Sequence, residues 1–299
     1  MATWRLDLQY DGTDFHGWAR QPGLRTVQEE IERALRTLFG EAVRVRVAGR
    51  TDAGVHAWGQ VASFETDAAV DRDRALLALN ALLPDDVAVR SVGRAPTGFS
   101  ARAAASRTYR YHLWVGTPRP VRERRYVWHV RGALEAGALE AVAPGLVGSR
   151  DWSACTSSAD AYHTCVREVL AAGWRRFDRS DREREVPEEA GAATAAAEAK
   201  TTSAAHAVQD GRSSDDRRLG VDRYVFEITA TGFVHNMVRV LVGTMVDAAQ
   251  GRVTVAQVEA ALASGERRRM GQTAPARGLA LVRVGYPPGS GEADAGVSS

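Results

Sequence analysis

The sequence predicts an α+β fold in two compact halves, and three observations point there. Segments of period-two apolar alternation and segments of helical spacing succeed one another, with no long stretch of either kind. Turn and stop signals punctuate them at short intervals, among them Asp11-Gly12, Gly40 and Pro84. The 299 residues, 44% hydrophobic and 25% charged, suffice for about two domains that each bury a core.

The elements follow in order. Trp4, Leu6, Leu8 and Tyr10 alternate with Arg5, Asp7 and Gln9, a half-buried strand closed by Asp11-Gly12. Thr26-Val27-Gln28-Glu29 has the spacing of a capping box, so a helix carrying Val27, Ile31, Leu35 and Leu38 should start there and stop at Gly40. Val43, Val45 and Val47 alternate with Arg44 and Arg46 as a second strand. A loop from Gly49 to Gly54 leads to a third strand, Val61 to Glu65. A helix from Asp71 to Leu83 ends before Pro84, and Val87 to Val92 is a fourth strand. The order β-α-β-β-α-β is the ferredoxin-like, or split βαβ, arrangement.

The second half reads similarly, without sequence repetition. Tyr109 to Val115, Val166 to Phe177, Tyr224 to Thr229 and Leu279 to Val284 read as strands. Ala133 to Ala143 reads as a helix. Val238, Leu241, Val242, Met245 and Ala249 form one helical face, and Val255, Val258 and Leu262 a shorter one after Thr254. Between Asp178 and Gly220 the only larger apolar residues are Val186, Val208 and Leu219, too few to offset the entropy of ordering. The chain thus divides into residues 1–104, residues 105–286 with an insertion at 178–220 expected to be disordered, and a tail at 287–299 expected to be the same.

Composition excludes several classes. Two cysteines, Cys155 and Cys165, rule out a disulfide-built secreted scaffold. No apolar run approaches the ~18 residues of a membrane span, and the first residues lack a signal-type stretch, so no membrane association and a cytoplasmic location are expected. The net charge is +2, but residues 178–220 hold 7 basic against 10 acidic residues, leaving the remainder basic. Of the 39 basic residues 38 are Arg, with Lys200 the exception. An arginine-rich basic body suits RNA, whose phosphates match the guanidinium fork. A general bias from Lys to Arg would give the same composition.

The densest chemistry lies in Gly49-Arg50-Thr51-Asp52-Ala53-Gly54-Val55-His56-Ala57. Glycines allow a tight turn and close approach of a substrate. Arg50 stands two residues from Asp52, and a cation there would keep the carboxylate ionised, ready as nucleophile or base. Asp-Ala-Gly is equally a common turn, and the residues alone leave both readings open. The seven histidines show no metal-ligand spacing, and Cys155, His163 and Cys165 fall one ligand short of a zinc site. His56 and His235 read as loop supports, and Trp114, Trp128, Trp152 and Trp174 as core or interface. Arg267-Arg268-Arg269 is either a solvated face or a phosphate contact. No Gly-rich nucleotide loop is present, and neither metal nor cofactor is expected.

The Gly49–Ala57 segment resembles the signature of the tRNA pseudouridine synthase A family. Further similarities follow in order: Tyr10-Asp11-Gly12 with Phe15-His16-Gly17-Trp18, Thr26-Val27-Gln28-Glu29, Phe99-Ser100-Ala101-Arg102, Tyr109-Arg110-Tyr111, Gly232-Phe233-Val234-His235-Asn236-Met237-Val238-Arg239 and Gly278-Leu279-Ala280-Leu281-Val282. They span nearly the whole chain outside the insertion and tail. The resemblance implies a catalytic Asp52, and a Tyr109 that stacks on the target base and serves as a general base. It implies an Arg50 that helps hold the flipped-out nucleotide, an Arg239 that pairs with the catalytic aspartate, and a Leu279 that lines the pocket. It also implies two ferredoxin-like halves sharing a mainly antiparallel sheet with a central basic cleft, a homodimer, and uridines 38, 39 and 40 of the tRNA anticodon arm as targets. The reaction needs no redox step. The carboxylate either attacks covalently or removes a ribose proton to give a glycal. The alternatives are a non-catalytic tRNA-binding or folding protein on the same scaffold, and a phosphate-processing hydrolase, for which no carboxylate cluster stands beside Asp52.

Overall fold

The computed structural model describes residues 1–176 and 220–287. The readings of 178–220 as a disordered insertion and of 287–299 as a disordered tail therefore lie outside the described residues, save Gly220 and Pro287. The fold is mixed α+β with mostly antiparallel strand pairing, and the chain forms two compact units, residues 1–107 with 280–299 and residues 108–279.

Unit 1 runs β1 (Ala2–Tyr10), α1 (Val27–Phe39), β2 (Arg46–Val47), β3 (His56–Thr66), α2 (Arg72–Leu82) and β4 (Val87–Arg94), and is completed from Ala280 on by β10 (Leu279–Gly285). The strands lie in the order β4-β1-β3-β10, with β2 also on β3. β1 is antiparallel to β3 and β4, whereas β10 pairs parallel to β3 through Ala280 with His56 and Leu281 with Ala57. The expected alternation holds in β1, where Trp4, Leu6, Leu8 and Tyr10 are buried. α1 turns Val27, Ile31, Ala34 and Leu35 inward and ends on Gly40 in the left-handed region (φ 72°). In α2, Asp71 caps the first turn by accepting from Arg74 N at 3.0 Å.

Two local expectations fail here. Thr26 is the N-cap of α1, but its side chain makes no capping bond, so the capping box is absent. Its hydroxyl is buried and, among the described residues, has no hydrogen-bond partner. The valines at 43, 45 and 47 are buried in alternation, yet only Arg46–Val47 pairs as a strand. The Val45 amide is taken instead by Glu32 Oε1, 3.1 Å away.

Unit 2 comprises β5 (Ser106–Val115), β6 (Trp128–Val130), α3 (Ala136–Val142), β7 (Gly148–Asp151), β8 (Val166–Arg176), β9 (Asp222–Ala230), α4 (Met237–Ala249) and α5 (Val255–Ser264). Its strand order is β5-β9-β8-β7, with β6 parallel to β5. β7 pairs with β8, and β8 with β9, both antiparallel. α4 is buried almost all round and packs against α3 and α5. A capping box does occur here: Thr254 accepts from Gln257 N, and the Gln257 side chain accepts from Thr254 N. Among the described residues no helix is long and apolar enough to cross a membrane.

Candidate functional site

In unit 1 the loop between β2 and β3 presents Asp52. Val55 N donates to Asp52 O at 3.1 Å, closing a four-residue turn with Gly54 third at φ 75°. A type II turn requires positive φ at that position, which accounts for Ala53-Gly54 after the aspartate. The turn rests on the segment after β1: Gly54 N donates to Phe15 O at 3.2 Å and Trp18 N to Thr51 O at 3.0 Å. The two backbones nearly touch. A Cβ on Gly12 would sit 2.0 Å from Val55 O, and one on Gly17, at φ 90°, 2.8 Å from Thr51 O. Neither position tolerates a side chain.

Buried, uncharged groups brace the loop from behind. The Tyr10 and Thr51 hydroxyls share a hydrogen bond at 2.8 Å. Gln60 Nε2 donates to Gly49 O at 2.7 Å and to the Tyr10 hydroxyl at 3.3 Å. Burial pushes the Tyr10 phenol up to about 12, against the opposing pull of Thr51 and Gln60, so it is neutral at ordinary pH. His56 accepts from Gly12 N at 3.0 Å through Nδ1, a loop support. Arg107 donates to Ala48 O from Nε (3.0 Å) and Nη2 (2.7 Å) and to Ala104 O from Nη1 (2.7 Å), fixing the start of the loop. Asp52 is half-buried in this frame and Arg50 is exposed. The Arg50–Asp52 pairing that the spacing allows is not formed; among the described residues Arg50 makes no ion pair.

Unit 2 carries the other three site residues. Tyr109 is buried on β5, its ring 5.0 Å from that of Phe233 at 82°, the edge-to-face packing aromatic quadrupoles favour. Asn236, with φ 63°, turns the chain into α4, and its Oδ1 accepts from Arg239 Nη1 at 2.7 Å. Arg239 Nε donates to Ala274 O at 2.8 Å, and Ala274 N returns a bond to Arg239 O at 3.0 Å. The strip from Gly271 to Ala274 lies flat on α4: a Cβ on Gly243 would fall 1.8 Å from Gln272 O. Arg267 pins that strip through Gly271 O (3.0 Å) and Thr273 Oγ1 (2.9 Å), so the first of the three consecutive arginines is structural. Tyr111 donates to Pro275 O at 2.7 Å, and its ring carbons lie 2.6 Å from where a Gly278 Cβ would be. Burial drives the Tyr111 phenol far above its ordinary value, while Arg239 and Arg277 pull it back. Leu279, buried, follows directly.

Asp52 and Arg50 thus belong to unit 1, and Tyr109, Arg239 and Leu279 to unit 2. The supporting roles of Tyr10, Gln60, Arg107, Tyr111 and Phe233 were not read from sequence. Gln60 had a detectable signal, an amide in the middle of an apolar strand. Cys155 and Cys165 are free and buried, and burial raises the Cys155 thiol to about 12, which makes it a poor nucleophile. Among the described residues no group of three or more His, Cys, Asp or Glu could hold a metal ion.

A family model described as tRNA pseudouridine synthase matches residues 8–102 and 142–287, a span that includes the aspartate loop of unit 1 and the Arg239 helix of unit 2. The tRNA pseudouridine synthase A of Geotalea uraniireducens is 35% identical over 283 residues, covering 94% of this chain and 98% of that protein. That of Geobacter sulfurreducens is 37% identical over 287 residues, covering 96% and 100%. That of Chloroflexus aurantiacus is 37% identical over 290 residues, covering 97% and 90%. With matches of this length reaching both units, the chain belongs to the tRNA pseudouridine synthase family.

Proposed function

We propose that the chain is an isomerase that converts uridine to pseudouridine in the tRNA anticodon stem-loop, at positions 38, 39 and 40, with Asp52 as the catalytic carboxylate. It works as a cytoplasmic homodimer of two ferredoxin-like halves and needs no cofactor. The observation that carries this reading is the rigid presentation of one carboxylate: Asp52 opens a tight turn locked by Phe15, Trp18 and the Tyr10–Thr51–Gln60 cluster. Such a frame loses little on positioning a reacting group. The strand order β4-β1-β3 with β2 on the far side of β3 supports a ferredoxin-like first half.

Isomerisation breaks the N1–C1′ bond of the uridine, rotates the uracil and joins C5 to C1′, after which the C5 proton leaves. Nothing is oxidised or reduced. Asp52 either adds covalently to the nucleotide and is expelled when C5 attacks, or takes a ribose proton to give a glycal and returns it. Tyr109 offers a fixed aromatic face for the everted base and a hydroxyl near its C5 proton. Arg50, exposed and without an ion pair among the described residues, binds phosphate. Arg239 and Leu279 serve the substrate nucleotide, the first by charge and the second as an apolar lining. Eversion of the base costs a few kcal/mol, which stacking and phosphate pairing offset.

The test is pseudouridine mapping on unmodified tRNA transcripts incubated with the protein and no added cofactor. Pseudouridine in the anticodon arm is expected, and Asp52→Asn should abolish it while leaving RNA binding nearly intact. Tight binding without pseudouridine in the wild-type reaction would replace this reading with a non-catalytic tRNA-binding protein. A uridine deuterated at the ribose C2′ separates the two routes, since only proton removal gives a primary isotope effect.

A further inference from the structure

β5 and β6 are joined by residues 116–127, which carry Arg119, Arg122, Arg124 and Arg125 within seven positions. All four are exposed. The one acid among them, Glu123, is half-buried and lies 3.9 Å from Arg223 of β9. The Arg223 guanidinium in turn lies 4.4 Å from the centre of the Trp114 ring.

The loop is held in shape. Trp114 Nε1 donates to Pro118 O at 2.7 Å, Tyr126 N to Glu123 O at 2.8 Å, and Arg277 Nε to Val127 O at 3.2 Å. Pro118 and Pro120 fix φ on either side of Arg119, and Arg124 Nη1 bonds back to Val121 O at 3.1 Å. The like charges of Arg119, Arg122 and Arg124 on so short a segment repel one another, which favours an anion among them. Spaced along an ordered edge, with planar forks that take two phosphate oxygens each, they match a row of phosphates better than a single one. Exposed Tyr126 beside them adds an aromatic face of the kind that accompanies RNA contacts.

We propose that the 116–127 loop is a docking surface for the phosphate backbone of the substrate RNA, gripping it by charge away from the reacting nucleotide. This rests on the reading of the chain as an RNA-modifying enzyme. The occupant is nucleic-acid backbone: a folded protein partner would call for apolar area, and of the loop's residues only Val121 and Tyr126 are exposed large apolar ones.

The experiment compares the triple variant Arg119→Gln/Arg122→Gln/Arg124→Gln with a control that removes three exposed arginines from unit 1, Arg36→Gln/Arg44→Gln/Arg74→Gln. The readout is the dissociation constant for an unmodified tRNA transcript between about 50 and 200 mM salt. The loop variant should bind at least about tenfold more weakly at low salt, and its salt slope should fall by about one for each phosphate it no longer neutralises. The control should keep wild-type affinity and slope. At saturating RNA the loop variant's turnover should fall less than its affinity. An unchanged slope, or an equal weakening in the control, would overturn the proposal. Failure of the enzymatic reading is a separate event, absence of pseudouridine with the wild-type protein in the same transcripts.

Discussion

Each unit holds its candidate functional loop against a buried tyrosine, but the two braces differ in kind. In unit 1 the Tyr10 hydroxyl joins a sealed, uncharged cluster with Thr51 and Gln60, and Gln60 passes the restraint on to Gly49. In unit 2 the Tyr111 hydroxyl goes straight to a backbone carbonyl, that of Pro275, with Arg239 and Arg277 near enough to act on the phenol. The first brace keeps charge away from the residues behind a carboxylate and rigidifies the loop on both sides of Arg50. The second holds a strip that supports a cation. The loop that carries Asp52 is tied down by neutral hydrogen bonds, whereas Arg239 is steered by one backbone carbonyl, Ala274 O, and one side-chain amide, Asn236 Oδ1.

Alkaline pH tests both braces at once and should have the largest effect. Tyr10 is raised from 10.0 to about 12 in the fold, and Tyr111 is raised further by burial. A group held neutral in this way gives its full contribution below the unfolded value and loses it as pH climbs toward the folded one. Stability should therefore hold to about pH 10 and decline toward 12, with tyrosinate absorbance from these two rings appearing together with unfolding. Ionisation of Tyr10 near pH 10 in a protein with intact circular dichroism would refute the sealed cluster.

The glycines sharpen the contrast. Gly12→Ala drives a Cβ into backbone, 2.0 Å from Val55 O, and should cost about 3 kcal/mol or more in denaturant unfolding. Gly278→Ala meets the Tyr111 ring at 2.6 Å, a side chain rather than backbone, and should cost about 1–3 kcal/mol. Equal costs would mean that the two loops are equally rigid.

Smaller still are the hydroxyl deletions. Tyr10→Phe leaves buried Thr51 and Gln60 each short of a partner, at about 1–2 kcal/mol, and should lower kcat with little change in KM. Tyr111→Phe leaves Pro275 O the Gly278 amide at 3.5 Å and should cost about 1 kcal/mol. The reverse ranking in thermal melts would undo the distinction between sealed and open braces. The smallest effects compare two helix starts. Thr254→Ala removes the hydroxyl acceptor of a working capping box and should cost about 1 kcal/mol, while Thr26→Val removes a hydroxyl that bonds to nothing described and should be neutral within about 0.5 kcal/mol or slightly stabilising.

Those two threonines also mark how far sequence pattern reaches. Thr26 and Glu29 have capping-box spacing, but the Thr26 side chain is buried and the local signal loses to packing; Thr254 and Gln257 form the box. Period-two alternation told which side of β1 and which valines before Gly49 face inward. It could not tell that Glu32 would take the Val45 amide and shorten that strand to Arg46–Val47. β6 and β7, three and four residues long, are too short to show a period. For the site, the motif around Asp52 was legible because turn, glycines and carboxylate are contiguous. The brace was not, since Tyr10, Thr51 and Gln60 are distant in the chain and meet only through the register of β1 on β3.

The parallel pairing of Ala280 and Leu281 with His56 and Ala57 bears on biosynthesis. Unit 1 is drawn from segments on either side of unit 2, so it cannot be finished before unit 2 has been made. The backbone edge just after the aspartate turn stays open until the strand at 279–285 emerges, by which time unit 2 has been synthesised entire. A ribosome that stalls or terminates early therefore releases a product with an unpaired edge at that turn, a template for aggregation and a mark for proteolysis. Pairing at the aspartate turn therefore waits on the synthesis of all of unit 2.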